Sequence, residues 1–210
     1  MSAATAVKGS SAIAVAGSRP YAWPYDGQLT TASLALAVVS GAGSGGEGDE
    51  RSRESTLAKC SALADKLRER GVTIIWISCS GAALPPKGDG DLVVVAPTAN
   101  AFLGSSLDLV LRINGIDKLA FAGWPTEVAV HSTLRRANDL GFECIVLEDA
   151  CTPFDPALQE SSISQILMSG GIFGAVGASS ALIEAIDLTV APATVTTLPT
   201  VTTLQGGTAR

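Results

Sequence analysis

The sequence predicts an α/β protein: a three-layer α-β-α sandwich around a mainly parallel central sheet. Three observations predict it. Short branched apolar runs of strand length recur at residues 34–39, 72–78, 92–95, 118–122 and 144–147. Segments with apolar residues at helical spacing alternate with them, which indicates parallel strands with helices on both faces. The chain has 210 residues and is 47% apolar, enough for one domain with a full core.

The elements follow in order. Residues 1–28 read as an N-terminal lead, flexible to about residue 20. Pro20 to Gly27 is aromatic and Pro-rich, hence extended and packed on the body. The domain proper runs over 29–188, and 34–39 is its first buried strand. Gly41 to Glu50 is Gly/Ser-rich with Ala42 as its one apolar residue and reads as a loop. Leu57, Cys60, Leu63, Ala64 and Leu67 mark a helical face, stopped at Gly71. A turn region over 81–90 separates the second and third strands. Ser105 or Ser106 starts a helix that runs through Arg112 and closes at Gly115. Residues 126–140 form the next helix, with Gly141 as its stop. The strand at 144–147 ends at Glu148-Asp149, a helix covers 156–168, a short strand 172–176, and a last helix 179–186. From Asp187 on the chain is rich in Thr, Val and Pro, and 189–210 reads as a tail suited to pairing with another subunit.

Charge and cysteine usage narrow the function. The net charge of −6 argues against a nucleic-acid surface. No apolar run reaches the roughly 18 to 20 residues of a bilayer span, so no membrane span is expected. One histidine, His131, provides no basis for a His-based metal site, and no cofactor is expected. Cys60, Cys79, Cys144 and Cys151 form no C-x-x-C motif, which points to a reducing intracellular compartment, the cytoplasm. The acid-free, Ser/Ala-rich start is also compatible with organellar import.

Strand patterns put Ser40, Ala96 and the Ala129 region near the C-terminal edge of the sheet, where a layered α/β fold presents its reacting groups. None of the three supplies a base, a cation or a strong nucleophile. Cys79 ends the second strand close by, without a sequence-near His or Lys to activate it, and reads as an inert buried thiol.

Several stretches resemble the isochorismatase-like cysteine hydrolases, above all the branch containing biuret and ureidoacrylate amidohydrolases. They are Arg19 to Gly27, Leu107 to Ile116, Gly123 to Cys144, Glu148-Asp149-Ala150 and Gly170 to Gly174. Together they run from about residue 19 to 186. The resemblance implies hydrolysis of C–N bonds by a Cys nucleophile, an Asp base and a Lys. The family's Asp ends the first strand, which is Ser40 here. Its Lys lies six residues before the Phe of a small-residue–Phe pair, and counting back from Phe102 reaches Ala96. Its Cys follows the Thr of Gly-x-x-Thr by three, and from Thr126 that is Ala129. All three functional groups are then lost, which costs on the order of 10⁴ to 10⁶ in rate. The loop after Ser40 and the short 81–95 segment depart from the family as well. The family's cis peptide before the nucleophile falls at Trp124-Pro125, where a cis bond is expected. Phe102, Trp124, Pro125, Thr126 and Cys79 are the residues expected to line what remains of the pocket.

The resemblance therefore implies a catalytically inactive homologue acting as a structural or accessory subunit. Its partner would be a second copy, an active paralogue or a larger assembly. The alternative is a repurposed enzyme or a ligand-binding protein that uses the vestigial pocket for non-hydrolytic chemistry or small-molecule sensing.

Overall fold

The structure is a computed structural model, which describes residues 12–42 and 47–190. The expected tail at 189–210 lies almost wholly outside the described residues. Six strands form one sheet: β1 (Leu34–Ser40), β2 (Thr73–Cys79), β3 (Leu92–Ala96), β4 (Lys118–Trp124), β5 (Glu143–Cys151) and β6 (Ala175–Gly177). Their order is β3-β2-β1-β4-β5-β6, and every pairing is parallel. Among the described residues five α-helices accompany them: α1 (Glu47–Arg68), α2 (Leu107–Ile113), α3 (His131–Asp139), α4 (Gln159–Met168) and α5 (Ser179–Val190).

The two-residue period of a strand divides the core. Ala35, Ala37 and Val39 of β1 join a cluster with Leu107 and Leu111 of α2, Leu134 of α3 and Ile166 of α4. Leu34, Leu36 and Val38 point the other way, into a cluster with Leu57, Cys60 and Leu67 of α1 and Leu182 of α5. Two apolar layers on one sheet make the three-layer sandwich.

The boundaries differ from the sequence reading at several places. α1 begins at Glu47, inside the expected 41–50 loop, because its first turn is polar and carries no apolar mark. β5 continues through Glu148-Asp149 to Cys151. The exposed Ile172 lies in a turn, so β6 starts later, at Ala175. α5 continues to Val190, past the expected end of the domain. The helix at 126–140 opens with a π turn, Thr126–Val130, before α3. The lead is not free as far as residue 20: Val15 and Trp23 are buried against the α1 side of the sheet. Arg19 exchanges two backbone hydrogen bonds with Val176 of β6, donating at 2.9 Å and accepting at 2.7 Å.

Residues 80–91 join β2 to β3 without a helix. This connection runs along α1. Its far end is held where Arg68, in the last turn of α1, forks onto the buried Asp91 with two bonds of 2.8 Å. Trp76 Nε1 and the Gly88 amide also donate to Asp91. Burial alone would raise the Asp91 pKa. The bonds from Arg68, Trp76 and Gly88 outweigh it and hold the carboxyl below its ordinary value.

Candidate functional site

The parallel sheet brings the candidate residues to one end. Ser40 closes β1 and stands in register with Ser78 of β2 and Trp124 of β4. Ala96 closes β3 beside Cys79 of β2. Ala129 follows β4 on the π turn. This is the carboxyl edge of an α/β sheet, where ligands bind in such folds. Ser40, Cys79, Ala96, Trp124, Pro125, Thr126 and Ala129 are all buried, and Phe102 is half-buried.

Close packing shapes this corner. Ser40 Oγ donates to the Ala83 carbonyl at 2.8 Å, and Ser78 Oγ donates to the Ala82 carbonyl at 2.6 Å. The two serines tie the start of the β2–β3 connection down over their own strand ends. Gly41 follows Ser40, and its amide donates to the Trp124 carbonyl at 2.7 Å. A β-carbon on Gly41 would lie 2.7 Å from Pro125 Cδ and 2.8 Å from Ala129 Cβ. Any side chain there would clash, so the backbone of Gly41 occupies the space in front of Ala129. Gly123 is required for a similar reason. At φ +134 its missing Cβ would fall 2.0 Å from the Val39 carbonyl oxygen. The Trp124–Pro125 peptide bond is cis. Sequence reading missed Ser78 and Gly41; a serine at the end of each of two apolar strands was the available signal.

The chemistry of the described side chains is limited. Neither Ala96 nor Ala129 carries a heteroatom in its side chain, and Ser40 is occupied as a donor. Burial pushes the Cys79 thiol up to about 11, so it is protonated near pH 7. Cys60 is pushed up to about 12 by burial, only weakly offset by Lys59, and Cys144 and Cys151 are raised well above the ordinary range for the same first cause. His131 Nδ1 accepts from Arg135 Nε at 3.1 Å, and its ring meets Phe173 edge-on. Burial, and secondly the Arg135 charge, lower its pKa to about 4, so the ring is neutral. Glu127 accepts from the amides of Phe154 and Asp155, and Asp149 caps α5 by accepting from the amide and hydroxyl of Ser179. These carboxylates fasten loops. Among the described residues no cluster of His, Cys, Asp and Glu could hold a metal ion.

Two polar atoms in this corner are left over. Trp124 Nε1 and Thr126 Oγ1 are buried and make no hydrogen bond among the described residues. Trp124 packs on Phe154 with ring centroids 5.9 Å apart. A separate apolar cavity of about 460 Å³ lies between α1 and Leu84–Pro86. Arg53, Leu57 and Ser61 line it from α1, and none of the candidate residues reaches it.

Fold and site together define a doubly covered parallel α/β protein with its candidate site at the carboxyl edge of the sheet. Residues 37–178, more than half of the chain, match the isochorismatase domain, and the chain belongs to that family. It is 37% identical over 78 residues to the uncharacterized isochorismatase family protein YecD of Escherichia coli O157:H7, covering 37% of this chain and 42% of the relative. It is 35% identical over 124 residues to the ureidoacrylate amidohydrolase RutB of Methylorubrum extorquens, covering 58% of this chain and 50% of the relative. The matched stretches thus span half or less of these relatives. An isochorismatase family protein from Burkholderia thailandensis superposes with a TM-score of 0.63 at 22% identity, covering 76% of this chain and 98% of that one. That likeness shows the fold. Among the described residues no helix is long and apolar enough to cross a membrane.

Proposed function

We propose that this chain is a non-hydrolytic member of its family that serves as a structural or accessory subunit of an oligomer. One reading carries the proposal. The resemblance aligns the family's Asp, Lys and Cys with Ser40, Ala96 and Ala129, and the structure packs Gly41 directly against the last of them. A thiolate near pH 7 needs both a sulfur and a neighbouring positive charge or base. Ala129 supplies no sulfur, Ala96 no cation and Ser40 no carboxylate. The relative named a ureidoacrylate amidohydrolase makes ureido and amide substrates the right compounds for the test.

The test is an assay of the purified full chain against ureidoacrylate, biuret and small primary amides. Release of ammonia or carbamate should not exceed the buffer background. Sustained turnover that disappears in Ala129→Leu would overturn the proposal.

A second reading, a ligand-binding or repurposed pocket, draws on the unpaired Trp124 Nε1 and Thr126 Oγ1. Buried donors without partners cost stability that a polar ligand could recover. A rise in Tm with a small amide or carboxylate, absent in Thr126→Val, would favour this reading. No rise across such compounds would remove it.

A further inference from the structure

Among the described residues no segment pairs with the outer edge of strand β3. Ser80 donates to the Ala96 carbonyl, so the backbone groups of Ala96 face β2. By the two-residue period those of Leu92 and Val94 do so as well, and the N–H and C=O groups of Val93 and Val95 point outward. The side chains of these two valines lie on the α1 side of the sheet, opposite Val94 and Ala96, which belong to the α2 side. α1 packs over β1, β2, β4 and β5. Val93 is 42% and Val95 66% exposed.

Edge strands are normally guarded by a lysine, a proline, a bulge or a covering segment. β3 has no charge, proline or register shift within it, and no charged residue occurs between Asp91 and Asp108. The other edge of the same sheet is guarded, since the lead bonds to Val176 of β6.

We propose that β3 is a homodimerisation edge, and that its occupant is β3 of a second copy, antiparallel about a twofold axis through Val94. That register pairs all five residues of both strands. With the axis at Val94, Val93 of one copy stands opposite Val95 of the other. Both residues have outward backbone groups, so each such pair exchanges two hydrogen bonds, and the symmetric dimer gains four. The same register sets Val93 and Val95 of both copies side by side in a four-valine cluster on one face. A shift by one residue would put outward groups against inward ones and forfeit the bonds. The absence of charge removes like-charge repulsion across the axis. The result is one continuous sheet of twelve strands. This identifies a surface for the assembly proposed above and does not depend on the loss of hydrolysis. An inactive chain that stays monomeric would defeat the edge and leave the loss of hydrolysis standing, and an active dimer would defeat the loss of hydrolysis and leave the edge standing.

The experiment is the native mass of the purified full chain by sedimentation or light scattering, for wild type and Val95→Lys. Wild type should show at least twice the 21.3 kDa chain mass. Val95→Lys, at an exposed position, should halve the mass with an unchanged circular dichroism spectrum. A register test uses Val93→Cys and Val95→Cys, separately and mixed. The four native cysteines are buried, so mild oxidation should give disulfide-linked dimers in the mixture and little in either variant alone. A monomeric wild type would overturn the proposal. So would slow exchange of the Val93 and Val95 amides in a monomer, which would assign the edge to another segment of the same chain. A mass unaffected by Val95→Lys, or equal cross-linking in the single variants, would overturn it too.

Discussion

The two edges of the sheet solve the same problem in different ways. At β6 the chain covers its own edge: Arg19 pairs with Val176, and the lead is anchored by Trp23 in the core beneath. At β3 the approach to the strand is fastened, by Arg68 on Asp91, but among the described residues none covers the strand's outer edge. A three-residue strand at one end needs a local strap. A five-residue apolar strand at the other has length enough to pair with a partner. The difference shows that edge protection is a property of each edge, set by which segments the fold delivers there.

The largest effect is expected from removing the anchor of the strap. Trp23→Ala should cost about 3 to 5 kcal/mol, because a fully buried indole leaves a cavity. It should also speed exchange of the Val176 amide, making the β6 edge resemble the β3 edge. Denaturant unfolding and hydrogen exchange measure both. Retained protection at Val176 would mean the lead is held by other contacts.

Next comes the fastening ahead of β3. Asp91→Ala should cost about 2 to 3 kcal/mol, since Arg68, Trp76 Nε1 and the Gly88 amide lose their acceptor together. The carboxyl titrates below its ordinary value, so its contribution is present above about pH 4 and lost as pH falls through the folded-state pKa. Asp91→Asn should flatten that acid limb of the stability curve.

A pH titration then sharpens the comparison from the β6 half. The unfolded chain takes up a proton on His131 near pH 6.5, while the folded chain resists until about 4. The unfolded state binds more protons across that window, so stability rises with pH through it and falls on acidification. The loss from pH 7.5 to 5 should be about 2 kcal/mol and should vanish in His131→Gln. The smallest effect belongs to the exposed pair of Arg19 with Glu148, 3.4 Å apart. Arg19→Ala should change stability by less than about 0.5 kcal/mol, because the edge bonds come from the backbone. A larger loss would give the side chain a role in the strap.

The candidate site was legible in outline. Strand ends are readable because apolar runs stop there, and a parallel sheet then brings Ser40, Cys79 and Trp124 to the same edge. The closure was not legible. Whether Gly41 has room before Ala129, or whether Ser40 and Ser78 reach the Ala82 and Ala83 carbonyls, depends on a connection that returns from far along the chain. The start of α1 was hidden for a related reason. Its first turn holds no apolar residue, and helical periodicity registers only where apolar residues mark a face.

The sequence by itself determined the three layers, the centres of the elements and the residue types, Ser, Ala and Ala, at positions 40, 96 and 129. Those follow from local period and residue type, which neighbouring residues share. Only the tertiary structure decided which edge is strapped, how far α1, β5 and α5 extend, and how tightly the strand ends are sealed. Those outcomes depend on contacts such as Arg19 with Val176, and on the burial they bring, between residues far apart in the chain.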